Sequence, residues 1–259
     1  MTFLSSDSLV TFKIKDYTNK TDLQQIKEDV LKTYDYIMYQ TIKTTYQPPS
    51  SITIYLYEEN KRSFALKKEI HLFAFKNYSY VLAHELTHVL VGYNFYQESH
   101  LGMLTQEGFA EYVQLQMGIK DNLNYDIHPH KHTSYFLKEN KLSPLEQLIT
   151  NEVLMQLVTD PKNGKHSTTT VLDSFKIWMF YVEAASFVSF LIDQYGVLLF
   201  EQIYNQPDLI NLLPTVYQKS FASLEKEWHT FLEDSKLDYS LKEKIHPTVK
   251  SINYYLPKI

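Results

Sequence analysis

The segment His84-Glu85-Leu86-Thr87-His88 constrains this chain more than any other. On a helix, residues i and i+4 stand one above the other about one turn apart, so both imidazoles can reach one metal ion. At about 3.6 residues per turn, Glu85 stands about 100° around the helix from His84. Its carboxylate can therefore address a water beside the ion without being a ligand. The pattern predicts a helix over 77–91, with Val81, His84, Glu85, His88 and Gly92 on one side and Leu82, Leu86, Val89 and Tyr93 on the other. One face belongs to the core and the other to a cleft.

A tetrahedral catalytic zinc takes three protein ligands and keeps a fourth position for water, so a neighbouring helix must supply one more group. After eighteen intervening residues comes Glu107, in Thr105-Gln-Glu-Gly-Phe-Ala-Glu111-Tyr. Glu107, Glu111 and Gln114 share a helical face, while Phe109 and Val113 turn away. Gly108 would let this backbone approach the His84–His88 helix closely. Glu111, one turn beyond Glu107, is placed to accept a hydrogen bond from a ligating histidine and so fix its tautomer.

Composition removes several function classes. The chain of 259 residues has no cysteine, which excludes disulfides, thiolate nucleophiles and Cys-ligated zinc. Twenty-five Lys+Arg against thirty Asp+Glu give a net charge of −5, leaving no basic surplus for nucleic acid. The longest apolar stretch, Ser174 to Phe190, is interrupted by Lys176 and Glu183, so no membrane span is expected. No basic n-region with an apolar h-region opens the sequence, which reads as cytoplasmic as given, or as secreted if a leader has been removed.

Along the chain, Val10–Ile14, Ser51–Tyr57 and Glu69–Phe75 alternate as strands. A helix runs from Asp22 to about Tyr46, with Thr21 as its N-cap and Pro48-Pro49 closing the segment. Thr105–Met117, Phe175–Tyr195 and Leu224–Leu232 read as helices, and Ser143-Pro144-Leu-Glu146 as an N-cap, a first-turn proline and an N3 acid. His128-Pro-His130-Lys-His132 reads as a solvated loop. The division is an N-terminal α/β lobe over 1–92 and a helical lobe over 93–259, forming one catalytic unit.

His84-Glu85-x-x-His88, eighteen residues, then Glu107-Gly-Phe-Ala resembles the gluzincin metallopeptidases, with the spacing of aminopeptidase N-type enzymes over about residues 80–115. A broader resemblance, to peptidase-MA-like domains, takes in Tyr181-x-x-Ala184-x-Ser186, Tyr195-Gly196 and the Leu-Glu-x-Glu-Trp228 segment. The resemblance implies an α+β, zincin-like fold and one Zn2+ per chain on His84, His88 and Glu107. It also implies Glu85 as general base, a peptide or protein substrate, and Glu69–Phe75 as the edge strand along which that substrate pairs. The Gly-x-Met-Glu-Asn segment with which such aminopeptidases hold a free amine has no counterpart around Ile70–Asn77, which points to an endopeptidase. Tyr181, at the head of the family-like helix, is the candidate oxyanion stabiliser, with His100 as second choice. Tyr181, Ala185, Val188, Ile192 and Tyr195 also make an ordinary core stripe. Two alternatives share the site: a catalytically silent zincin-fold module that binds a peptide or protein, and a zinc hydrolase acting on another amide.

Overall fold

The computed structural model describes residues 1–18, 22–43, 46–73, 81–91, 103–117, 127–150 and 171–259. These build two compact units, the first from residues 1–98 and 109–122, the second from residues 99–108 and 123–259. The boundary passes through one unbroken helix, α3 (Met103–Gln116), between Gly108 and Phe109.

In the first unit, β1 (Thr2–Leu4), β2 (Thr11–Asp16), β3 (Ser51–Leu56), β4 (Phe64–Leu66) and β5 (Glu69–Leu72) form one mixed sheet in the order β1-β2-β3-β5-β4. β2, β3 and β5 are parallel, and β1 and β4 close the two edges antiparallel. A parallel neighbour cannot be reached by a tight turn, so α1 (Leu23–Gln40) carries the chain from β2 to β3. Strand alternation puts Phe12, Ile14, Ile52, Ile54, Leu56, Ile70 and Leu72 on one buried face, where Phe12 meets Tyr34 of α1 edge-on at 5.8 Å. On the other face the rings of Tyr55, His71 and Phe64 stack across three strands, 4.6 Å apart at each step.

Two expectations change here. The segment Glu69–Phe75 is not an edge strand: its described part forms β5, which lies between β3 and β4, while Ala74 and Phe75 lie outside the described residues. The edge falls to β4, whose three residues are too few for alternation to signal, and which folds back onto β5 through Lys67 at φ 54°. α1 ends at Gln40 rather than near Tyr46, because Thr41 leaves helical geometry and spends its hydroxyl on the Ile37 carbonyl at 2.7 Å. Its N-cap is Asp22, which accepts from the Gln24 and Gln25 N–H groups; Thr21 lies outside the described residues.

The second unit packs around α6 (Val171–Tyr195), whose Phe180, Ala184, Phe187, Val188 and Leu191 are fully buried. By length and composition this helix could cross a membrane, but 78% of the relevant window is buried within the protein, as in a core helix. Gly196 takes φ 86°, a conformation open to glycine, and turns the chain from α6 into α7 (Val197–Ile203). α8 (Leu209–Tyr217), α9 (Phe221–Leu232), α10 (Leu241–Lys244) and α11 (Pro247–Tyr255) follow. α4 (Pro129–Lys138) joins the core by setting Phe136 among Met179, Val182, Ile252 and Leu256.

His128 to His132 is not a solvated loop. Pro129 opens α4, the His128 side chain caps it, and His130 and His132 are buried. His130 Nδ1 lies 2.9 Å from Ser186 Oγ, which also accepts from the Trp228 indole at 3.3 Å, and His132 Nδ1 lies 2.7 Å from the Tyr239 hydroxyl. Burial pushes the His130 imidazole down to about 3, so it serves as a neutral hydrogen-bonding group. The cap expected of Ser143 also differs. Pro144 occupies the N-cap position of α5 (Leu145–Ile149), the Leu145 N–H donates to the Glu225 carboxylate at 2.8 Å, and the Ser143 N–H donates to Glu183 at 3.3 Å. Carboxylates brought in by the tertiary fold take the place of the local serine.

Glu183 is fully buried on α6, and burial pushes its carboxyl from 4.5 up to about 8, against the opposing hydrogen bonds of Ser143. The folded chain therefore holds this proton more tightly than the unfolded chain does. The associated stability is present below about 4.5 and is lost as pH rises through about 8. Glu183→Gln is expected to gain stability over the parent between pH 5 and pH 8, at no more than about 1.4 kcal/mol per pH unit. Paired denaturation curves across that range measure it, and a difference independent of pH would refute the ionisation.

Candidate metal centre

The His84–His88 segment lies on α2 (Val81–Val91), an uninterrupted run with neither Gly nor Pro, packed against α1 and against β4 and β5. The expectation of one core face and one cleft face is only half met. Every side chain from Leu82 to Val91 is buried, including His84, Glu85 and His88. The polar face is covered because α3 supplies Glu111, itself buried, whose Oε1 lies 3.0 Å from His84 Nδ1.

A carboxylate against Nδ1 favours the proton there, which makes Nε2 the nitrogen of His84 that would coordinate an ion. His84 Nε2 and His88 Nε2 are 3.0 Å apart, with the rings at 83° to each other. Two nitrogens bound at zinc distances in a tetrahedron stand about 3.3 Å apart, so the pair is close to ligating geometry. Glu107 completes the group: its carboxylate and the two histidines each offer one ligand atom, all within 4.8 Å of one another. Among the described residues this is the one group of three metal-capable side chains so placed. Two imidazoles and one buried carboxylate fit a divalent ion, and zinc with an open position best.

Gly108 makes a close approach, but to a different partner from the one expected. A Cβ there would stand 2.5 Å from Val188 Cγ2 and 2.6 Å from the Ala184 carbonyl oxygen, both on α6, rather than against the His84–His88 helix. Tyr204, which no sequence pattern singled out, is fully buried, and burial followed by the charge of Glu107 holds its phenol well above the ordinary range. Tyr181 lies on α6, half-buried and edge-on to Phe180 at 6.0 Å. His100, Gly92 and Tyr93 lie outside the described residues.

Two substitutions test this arrangement. Glu111→Gln, which keeps the shape and removes the charge, is expected to weaken zinc binding by about 10- to 100-fold in competition with a chelator. Gly108→Ala is expected to destabilise the protein by about 1–3 kcal/mol through overpacking, read by denaturant titration of the apo-protein.

No protein-family model matches the chain, and no curated protein matches it. Among solved structures, an M1 zinc metallopeptidase from Deinococcus radiodurans and a mutant of it each match with a TM-score of 0.45 and 13% identity. Each match covers 90% of this chain and 51% of the other, so the chain spans about half the length of these structures.

Proposed function

We propose that this protein is a zinc-dependent peptidase that cleaves internal bonds of a peptide or protein. The observation that carries the proposal is the group of His84, His88 and Glu107, with His84 oriented by Glu111. Zinc held by these residues supplies Lewis acidity, lowering the pKa of water and polarising a scissile carbonyl. Glu85, beside His84 in sequence and buried on the same helix, accepts the proton of the attacking water as the C–O bond forms. It then delivers that proton to the amine as the C–N bond breaks. Tyr181 is assigned the second contact to the developing oxyanion.

An extended substrate has a place to pair within the first unit. β4 has one side bonded to β5 and the other at the sheet edge, and it packs against α2, which carries His84 and His88. The missing amine-holding segment in the sequence favours internal cleavage over removal of a terminal residue. A second reading, a zincin-fold module that binds without cutting, draws support from one observation, the depth at which His84, Glu85 and His88 are buried.

The two readings separate on Glu85→Gln. Both proteins are expected to carry about one zinc per chain. A mixed peptide library, with new termini read by mass spectrometry, is expected to be cut internally by the parent and about 10²–10⁴ times more slowly by the variant. Stoichiometric zinc with no cleavage by either protein would favour the binding module. Tyr181→Phe is expected to lower kcat by about 10²–10³ with little change in KM; a fall confined to KM would remove Tyr181 from that role.

A further inference from the structure

Glu107 lies on α3, and the direction of its carboxylate follows the local rotation of that helix. Contacts within the second unit hold the residues on both sides of it. Asn205, in the link between α7 and α8, donates its backbone N–H to Thr105 Oγ1 at 3.0 Å. Its side-chain oxygen accepts a hydrogen bond from the Gln106 amide. Asn205 makes both bonds from φ 55°, a left-handed conformation unfavourable for most side chains and best tolerated by Asn and Asp. On the far side of Glu107, Gly108 is wedged against Ala184 and Val188 of α6. The residue pair before the carboxylate and the residue after it are thus tied to separate elements, the α7–α8 link and α6.

We propose that the Asn205 turn is a positioning device for Glu107: by clamping Thr105 and Gln106 it fixes the rotation of α3 about Glu107, and so the direction in which Glu107 presents its carboxylate. Asn205 is then a positioning residue that governs metal affinity and coordination geometry from outside the ligand set. A ligand swings with every small rotation of the helix that carries it, and metal sites lose affinity when the shell behind a ligand is loose. The proposal rests on the reading of His84, His88 and Glu107 as one metal site.

The test uses the full chain, stripped of metal and titrated with Co2+ alone, reading the visible absorption of the ion together with the melting temperature of the apo-protein. Asn205→Gly keeps access to the left-handed backbone and deletes the side chain. It is expected to weaken Co2+ binding by about tenfold or more and to alter the spectrum, with the apo melting temperature close to that of the parent. Asn205→Asp retains an acceptor oxygen for Gln106 and is expected to return both affinity and spectrum to the parent's. Thr105→Val removes the other bond and is expected to act in the same direction as Asn205→Gly. It also decides the question if that variant does not fold. Parent-like Co2+ affinity and spectrum in Asn205→Gly or in Thr105→Val overturn the proposal, and a lowered apo melting temperature with unchanged Co2+ binding overturns it in favour of a purely structural turn. A parent that takes up no Co2+ overturns the metal site itself and the positioning role with it.

Discussion

The 3.0 Å contact between Glu111 and His84 Nδ1 is the interaction on which the proposed chemistry depends. An imidazole can carry its proton on either nitrogen, and only one choice leaves a lone pair directed at His88 and available to an ion. A buried carboxylate beside Nδ1 favours that choice, and a low local dielectric strengthens its effect. Its position in turn depends on α3 being one continuous helix. Glu107 and Glu111 are one turn apart, so whatever fixes the rotation of the helix fixes both carboxylates together.

The same dependence on remote partners recurs in the helical unit, where buried polar groups are joined across the fold. His130, Ser186 and Trp228 share one network, His132 and Tyr239 another, and Glu183 takes the Ser143 N–H beside α5. Such groups are costly to bury without partners, and each partner here comes from a different segment of the chain. The networks therefore specify how α4, α6 and α9 meet as well as how firmly they are held.

Much of this could be read along the chain, wherever the determining partner is a few residues away. Helical spacing of Leu82, Leu86 and Val89 foretells α2, alternation in Ser51–Tyr57 foretells β3, and the buried face of α9 follows from Leu224, Trp228 and Leu232. Glu111 could be matched to a histidine as a neighbour because it stands one helical turn beyond Glu107 on the same face. Signals failed where the partner is remote. Ser143 lost its cap to Glu225, β5 gave up the edge to a three-residue strand, and the histidines of α4 were drawn inward by Ser186 and Tyr239.

The sequence alone determined the candidate donor types and their order: two imidazoles on one helical face, a carboxylate after eighteen intervening residues, and another one turn later. Periodicity is a local property, and the backbone geometry of a helix converts it directly into a shared face. Only the tertiary structure decided that His84 Nδ1 meets Glu111, that the whole of α2 is enclosed, that Gly108 seats α3 on α6, and that Asn205 clasps Thr105 and Gln106. Those contacts join residues far apart along the chain, and their selection depends on how complete surfaces pack, which no local pattern encodes.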